Sequence, residues 1–375
     1  MKWKIPLFKI YTDESDERAV SEVIKSGMNW ATGQKIAEFE DLTAKYIGSE
    51  YAVTFNSGTS ALRAVLTAYD IGPGDEVIVP SFTFIATANA PLFVGAKPVF
   101  ADIEEKTLGL DPEDVIRKIT PKTKAMIPIH YGGTPCRIRE LREIAEDNDL
   151  VLIEDAAESF GAKIGNEMTG SFGDSALLSF CQNKIITTGE GGAIVTSSKE
   201  IQNRLKLIRS HGRVETCDYF SSTDNFEYVS LGYNLRMSNI TAALGIAQIR
   251  KADYIIDLRR KKAEYYKKNI IKNIRGITFC NPPEDHFNVF QLFSLRVSER
   301  NRLMTFLAKD GIMSKIYFSP VHLTSFYRTT MNYDCRLSVT EQVSEDILSL
   351  PFYPGITTEE IDCVVNSIRN FYEMS

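Results

Sequence analysis

Seven short apolar runs lie between residues 51 and 197: YAVTF (51–55), EVIVP (76–80), PVFAD (98–102), KAMIPIH (124–130), LVLIED (150–155), SALLSF (175–180) and GAIVTS (192–197). Most are separated by enough chain for a helix. Continuous apolar runs are what strands need when both faces of their sheet are covered, and helical crossovers are what join parallel strands. The pattern predicts an α/β architecture on a mostly parallel, seven-stranded sheet. Ligands of such sheets gather beyond the carboxyl ends of the strands, so the residues that follow each run are where chemistry is to be sought. Those residues are polar here: NSGTSAL after the first run, SFTFIAT after the second, the acids of EDAAESFG at the end of the fifth, and CQNK after the sixth.

Past residue 245 the texture changes to basic helical segments, an edge strand at VFQLFSLRV (289–297), a loop at YFSPVHLTSFY (317–327) and an amphipathic helix from Thr358. A chain of 375 residues is long for one core. A large domain over 1–245 and a smaller α+β domain over 246–375 are therefore expected.

Net charge is −6, which argues against general affinity for nucleic acid or an anionic membrane. The basic run RRKKAEYYKK (259–268) reads as a solvated helix face. The six cysteines have no metal-ligand spacing and no dense framework, which suits a reducing cytoplasm. The N-terminal stretch lacks the apolar core of a signal peptide, and no apolar run is long enough to span a bilayer.

Three motifs carry chemistry. In NSGTSAL, Gly58 permits close backbone approach, while Ser57, Thr59 and Ser60 offer hydroxyls at a helix start whose free N–H groups favour an anion; an ordinary N-cap is the competing reading. In LVLIEDAAESFG, Glu154 and Asp155 end a buried strand, where an acid serves as a helix cap, a metal ligand or a partner for a ring nitrogen. No neighbouring His or acidic pair completes a metal shell, so no metal is expected. In SALLSFCQNKIITTGEGG, a strand hands the chain to a short loop that holds Lys184 before a glycine-rich turn into the last run. A phosphate cup, a strand-end aspartate and a loop lysine at one sheet edge are the parts that hold pyridoxal 5′-phosphate: the lysine supplies the amine, and the aspartate keeps the ring nitrogen protonated. Phe84 is a candidate to cover the ring face, with plain core packing as the alternative.

Together NSGTSAL, PSFTFIATANA, EDAAESFGA, GSFGDSALLSF with its following lysine and TTGEGG, LGYNLRMSNI and LSLPFYP resemble the DegT/DnrJ/EryC1/StrS family of sugar aminotransferases over nearly the whole chain. The resemblance implies an aspartate-aminotransferase-type large domain (PLP fold type I), a homodimer with active sites shared across the interface, and transfer of an amino group, usually from L-glutamate, to a nucleotide-linked keto sugar in surface-glycan or natural-product biosynthesis. It implies Lys184 as the lysine that bonds the cofactor, Asp155 as the acid on the pyridine nitrogen, Gly58, Thr59 and Ser179 as phosphate contacts, Phe84 as the stacking aromatic, and Asn234 as an asparagine reaching the neighbouring subunit's phosphate. Glu158 stands beside the cofactor's phenolic oxygen, where many members carry Gln or His. The segment CQN (181–183) also departs from the family pattern.

A deoxysugar dehydratase of the same family carries histidine in place of the lysine, which Lys184 argues against. A non-catalytic PLP-binding regulator would not need Lys184 and Asp155 intact. A nicotinamide enzyme would need a G-x-G-x-x-G turn after the first strand, and this chain has none. On the sugar side, Trp30, Thr32 and Gly33, His211, and Tyr317 with His322 are expected either to touch substrate or to pack a domain interface.

Overall fold

A computed structural model describes residues 3–214, 223 and 225–374. Its central sheet takes β1 (Tyr51–Phe55), β2 (Glu76–Pro80), β3 (Lys97–Ala101), β4 (Thr123–Met126), β5 (Val151–Asp155), β6 (Ser175–Ser179) and β7 (Gly192–Thr196). The spatial order is β1-β7-β6-β5-β4-β2-β3. Four of the pairings are parallel; β7 alone among these strands runs against its neighbours, β1 and β6. The expected mostly parallel seven-stranded sheet is therefore the one observed. The fourth run ends earlier than its apolarity suggested. Pro128 has no N–H for a ladder, so β4 stops at Met126, and the chain continues with Ile127 donating to Ile78 and a single bridge from Ile129 to Asp155.

Both sheet faces are buried, with side chains assigned by the two-residue period of a strand. Val53, Phe55, Val77, Val79, Ile153, Leu177 and Ile194 pack on one face with the Gly58–Ala68 and Lys199–Arg209 helices. Ala52, Ala176, Leu178 and Val195, with Ile78, Met126 and Leu152, fill the other. This period separates two adjacent acids. Asp155 shares its face with Ile153 and points to the Ile85–Phe93 helix, whereas Glu154 points the opposite way. Glu154 is fully buried and its carboxylate accepts the amides of Gly170, Phe172 and Gly173 together with His130 Nε2. Of its possible roles Glu154 takes that of a loop cap: four donors offset the several kcal/mol that a bare buried carboxylate would cost.

A second core gathers Ile5, Ala263, Tyr266 and Ile270 with β8 (Phe293–Arg296), the antiparallel β9 (Ile347–Leu350) and the Thr358–Met374 helix. The Ala252–Asn273 helix joins the two cores. Ala252, Ile255 and Ile256 pack into the sheet-side core, and two turns later Ala263 begins the contribution to the second. The basic run is thus helical, but its first residue is not solvated. Arg259 is buried where the helix passes between the cores, donates to the carbonyls of Phe290 and Gln291, and has its pKa lowered by burial to about 9. Among the described residues no helix is long and apolar enough to cross a membrane.

Candidate active site

The loop from β6 to β7 is short and tied at its base. Phe180 donates its amide to Gly191 O and accepts from Thr188, Lys184 donates its own amide to Cys181 O, and Ile185 and Ile186 are buried. These anchors leave the Lys184 side chain to project inward, where Nζ lies 3.4 Å from Glu158 Oε1. Glu158 is buried, and its second oxygen accepts the Gly132 amide at 2.9 Å. Asp155 is also buried: Oδ2 accepts the Thr87 hydroxyl at 2.6 Å, Oδ1 accepts the Ala157 amide at 3.1 Å, and Thr87 is linked on to Thr83 at 2.8 Å. Burial pushes the Asp155 carboxyl up; the two hydrogen bonds and the Lys184 charge oppose that rise, and the Glu158 charge adds to it.

At the end of β1, Ser57 caps the Gly58–Ala68 helix by accepting the Ser60 amide at 3.1 Å, while Ser57 O accepts from Ala61. The cap reading is observed, and it takes the third and fourth amides, which leaves those of Gly58 and Thr59 at the helix mouth. Ser179 stands across from them: a Cβ on Gly58 would lie 3.6 Å from Ser179 Oγ, so glycine keeps a hollow there. Gly192 is required for a different reason, since a Cβ on it would come within 2.7 Å of the Gly58 amide nitrogen. Phe84 precedes the Ile85–Phe93 helix and is 59% exposed, an unusual state for phenylalanine at a strand end and one that a flat ring laid against it would remove.

The structure brings Lys184, Asp155, Glu158, Phe84, Gly58, Thr59 and Ser179 to one end of the sheet. Tyr317 joins them: its carbonyl accepts the hydroxyl of Tyr131, next to Gly132, and burial with the Glu158 charge raises its pKa. Other expected site residues sit elsewhere. His211 is exposed beside Asn234, donating its amide to Tyr233 O. Trp30 accepts the Asn239 amide, and Gly33 presses so closely on Asn239 that a Cβ would meet its side chain at 2.7 Å. Thr32 and Gly33 line a cavity of about 770 Å³ with Arg209, Arg213 and Arg236. His322 is 2% exposed and held between Ser81 and Glu341. Thr87, Thr83 and Gly132 went unnoticed in the sequence, because their partners are far along the chain and no local pattern announces them.

This residue set fits pyridoxal phosphate on its own geometry: an open anion cradle of backbone amides, an inward amine, a buried carboxylate and an uncovered aromatic face. The sequence matches the DegT/DnrJ/EryC1/StrS aminotransferase family over residues 11–369. The chain belongs to that family. This aminotransferase is 35% identical over 361 residues to GDP-perosamine synthase of Caulobacter vibrioides, a match covering 95% of each chain. Its fold superposes on Helicobacter pylori PseC, an aminotransferase involved in the biosynthesis of pseudoaminic acid, with a TM-score of 0.92, 27% identity and coverage of 99% of this chain and 100% of that one. It also superposes on the PLP form of a putative sugar aminotransferase from Streptococcus pneumoniae, with a TM-score of 0.91, 26% identity and coverage of 99% of each chain. The aspartate-aminotransferase-type fold expected from the motifs is the fold of this enzyme.

Proposed function

We propose that this aminotransferase uses pyridoxal 5′-phosphate to move an amino group from L-glutamate to the keto group of a nucleotide-linked deoxyhexose. The observation that carries the reading is the convergence of Lys184 and Glu158 at 3.4 Å with Asp155 buried alongside. The names of the relatives, a GDP-perosamine synthase and an enzyme of pseudoaminic acid biosynthesis, support an activated sugar as acceptor.

When bound, the cofactor supplies an aldehyde carbon that an amine can join and a ring that accepts the electrons of a breaking C–H bond. The Gly58 and Thr59 amides and the Ser179 hydroxyl bind its phosphate. Phe84 covers one ring face. Asp155 holds a proton on the ring nitrogen, and its own bonds to Thr87 and Ala157 fix its direction. Lys184 Nζ attaches the cofactor and, once released, takes the proton from the donor's α-carbon and later returns one on the sugar side. Glu158 lies beside Lys184 and positions the phenolic oxygen. On the sugar side, Tyr317 is the expected residue that lies at this end of the sheet.

Two copies complete each site, with Asn234 reaching the neighbour's phosphate. In support, the Asn234 side chain is exposed on a backbone bonded at each step: Tyr233 to Ile208, Leu235 to Arg209, and Asn56 to Leu235. The same segment exposes Tyr228, Val229 and Leu231 at 57, 52 and 80%, apolar surface of the kind a partner covers. We keep the division into two domains at 245/246, which falls within the Asn239–Ile249 helix ahead of the one that joins the cores. The five described cysteines are all free thiols, which agrees with a cytoplasmic site of action.

Purified enzyme loaded with pyridoxal phosphate is to be assayed with L-glutamate against GDP-, dTDP- and UDP-linked 4-keto and 3-keto hexoses. Formation of an amino sugar together with 2-oxoglutarate is expected. Absence of product with every sugar, together with no reducible cofactor label on Lys184, would overturn the reading.

A further inference from the structure

His322 is buried, and it carries a hydrogen-bond set that crosses between two parts of the molecule. Ser81 is the first residue after β2, three before Phe84. Its carbonyl accepts the Val321 amide at 2.9 Å, and its hydroxyl oxygen accepts the His322 amide at 3.0 Å while lying 2.6 Å from His322 Nδ1. On the far side His322 Nε2 is 3.3 Å from Glu341 Oε1, which also accepts the Leu337 amide. Glu341 Oε1 can only accept, so Nε2 carries a proton; in the neutral ring Nδ1 is then bare and accepts the Ser81 hydroxyl proton. In the neutral ring each of these atoms has its partner. Protonation would set Nδ1–H against the Ser81 hydroxyl, whose own proton must then turn away from Nδ1 at a wholly buried position.

The segment fastened here contains Tyr317 and Phe318. The Tyr317 carbonyl accepts the hydroxyl of Tyr131, whose neighbour Gly132 donates its amide to Glu158. The Phe318 ring lies 6.3 Å from that of Phe84 and 6.1 Å from that of Tyr131. We propose that neutral His322 is a positioning residue, a latch that fixes the Tyr317–Phe318 loop at the mouth of the active site and releases it when the imidazole takes up a proton. The groups facing it are Glu341 and Asp102, which favour the proton, and Arg328, which disfavours it, with the Phe100 ring 6.2 Å away. Burial outweighs the two acids and lowers the histidine pKa, in agreement with the bare Nδ1. The latch therefore holds at neutral pH and weakens as pH falls below the ordinary histidine value of about 6.5.

Only the kinetic part of the test rests on the proposed sugar substrate; hydrogen exchange needs none. Exchange of the loop amides over 317–323, corrected for intrinsic rates, is compared at pH 7.5 and 5.5. In the wild type, exchange is expected to speed up several-fold at the lower pH. His322→Gln keeps a donor toward Glu341 but loses the Ser81 contact, and Ser81→Ala loses it from the other side. Both should exchange about tenfold faster at pH 7.5, the size of one lost buried hydrogen bond. His322→Asn keeps an acceptor near the Nδ1 position, so its loop should stay protected and lose the pH response. In His322→Gln the KM for the keto sugar should rise more than kcat falls. Wild-type protection that is independent of pH, or Ser81→Ala and His322→Gln exchanging like the wild type, would overturn the latch even if the enzyme aminates the sugar as proposed.

Discussion

Around Lys184 the polar side chains are paired within the chain: Lys184 with Glu158, Glu158 with the Gly132 amide, and Asp155 with Thr87 and Ala157. The Asn234 side chain is instead exposed, on a segment whose backbone is bonded within the chain and which also exposes Leu231 at 80%. Buried pairs of the first kind preorganise groups for chemistry, since each carboxylate direction is fixed before any ligand arrives. A rigid backbone that offers an open amide is instead what a chain presents to another molecule. Under the dimer proposed above, one half of the site is finished by a single chain and the other is completed by a second copy.

The comparison breaks hardest at Lys184. Lys184→Ala is expected to lower turnover by about 10⁴-fold or more, since it removes both the attachment point and the proton carrier. Borohydride reduction followed by peptide mapping should place the pyridoxyl label on Lys184 of the wild type, and a label on another lysine would refute the assignment. Asp155→Asn should keep the cofactor bound, as judged by its absorbance after gel filtration, yet lose roughly 10² to 10³ in rate, because an amide cannot hold the proton on the ring nitrogen. Near-normal turnover would make Asp155 a structural acid like its neighbour Glu154.

Mixing two defective chains sharpens the other half. Asn234→Asp sets a negative charge against the phosphate and should cost on the order of tenfold or more. If Asn234 acts across the interface, a hybrid of Lys184→Ala and Asn234→Asp chains has one site with both lesions and one with neither. Equal mixing with random exchange should then restore about a quarter of wild-type activity, from half the dimers with half their sites intact. Activity no higher than the average of the parents would place Asn234 in its own chain's site. The smallest effect is expected at Glu158: Glu158→Gln keeps an oxygen for the Gly132 amide and should change kcat less than about fivefold. Abolished turnover with cofactor still bound would give this carboxylate a proton-transfer duty.

The sheet was legible because a strand covered on both faces must be apolar along its length, and such runs survive in the sequence whatever packs on them. KAMIPIH was the exception, where a proline without an N–H ended the strand inside an apolar run. Lys184 was legible because the loop between two strands leaves a single residue able to supply an amine. Glu154 and Asp155 could not be told apart by composition, since either acid suits a strand end. Nor could His322, which as a residue in a polar loop looked open to substrate.

By itself the sequence determined the layer architecture, the sheet edge where ligands gather, and the family motifs that place a lysine, an aspartate and a glycine-opened helix mouth at that edge. These follow from local periodicity and short spacing, which a linear chain carries in full. Tertiary structure decided which acid faces the chemistry, that Thr87 orients Asp155 from 68 residues away, that Arg259 lies buried between two cores, and that His322 meets Ser81 across 241 residues. Each of these depends on which face of an element meets which neighbour. Strand register and helix packing set that only when the chain has closed on itself, because burial and hydrogen-bond partners are properties of the folded neighbourhood and not of the residue.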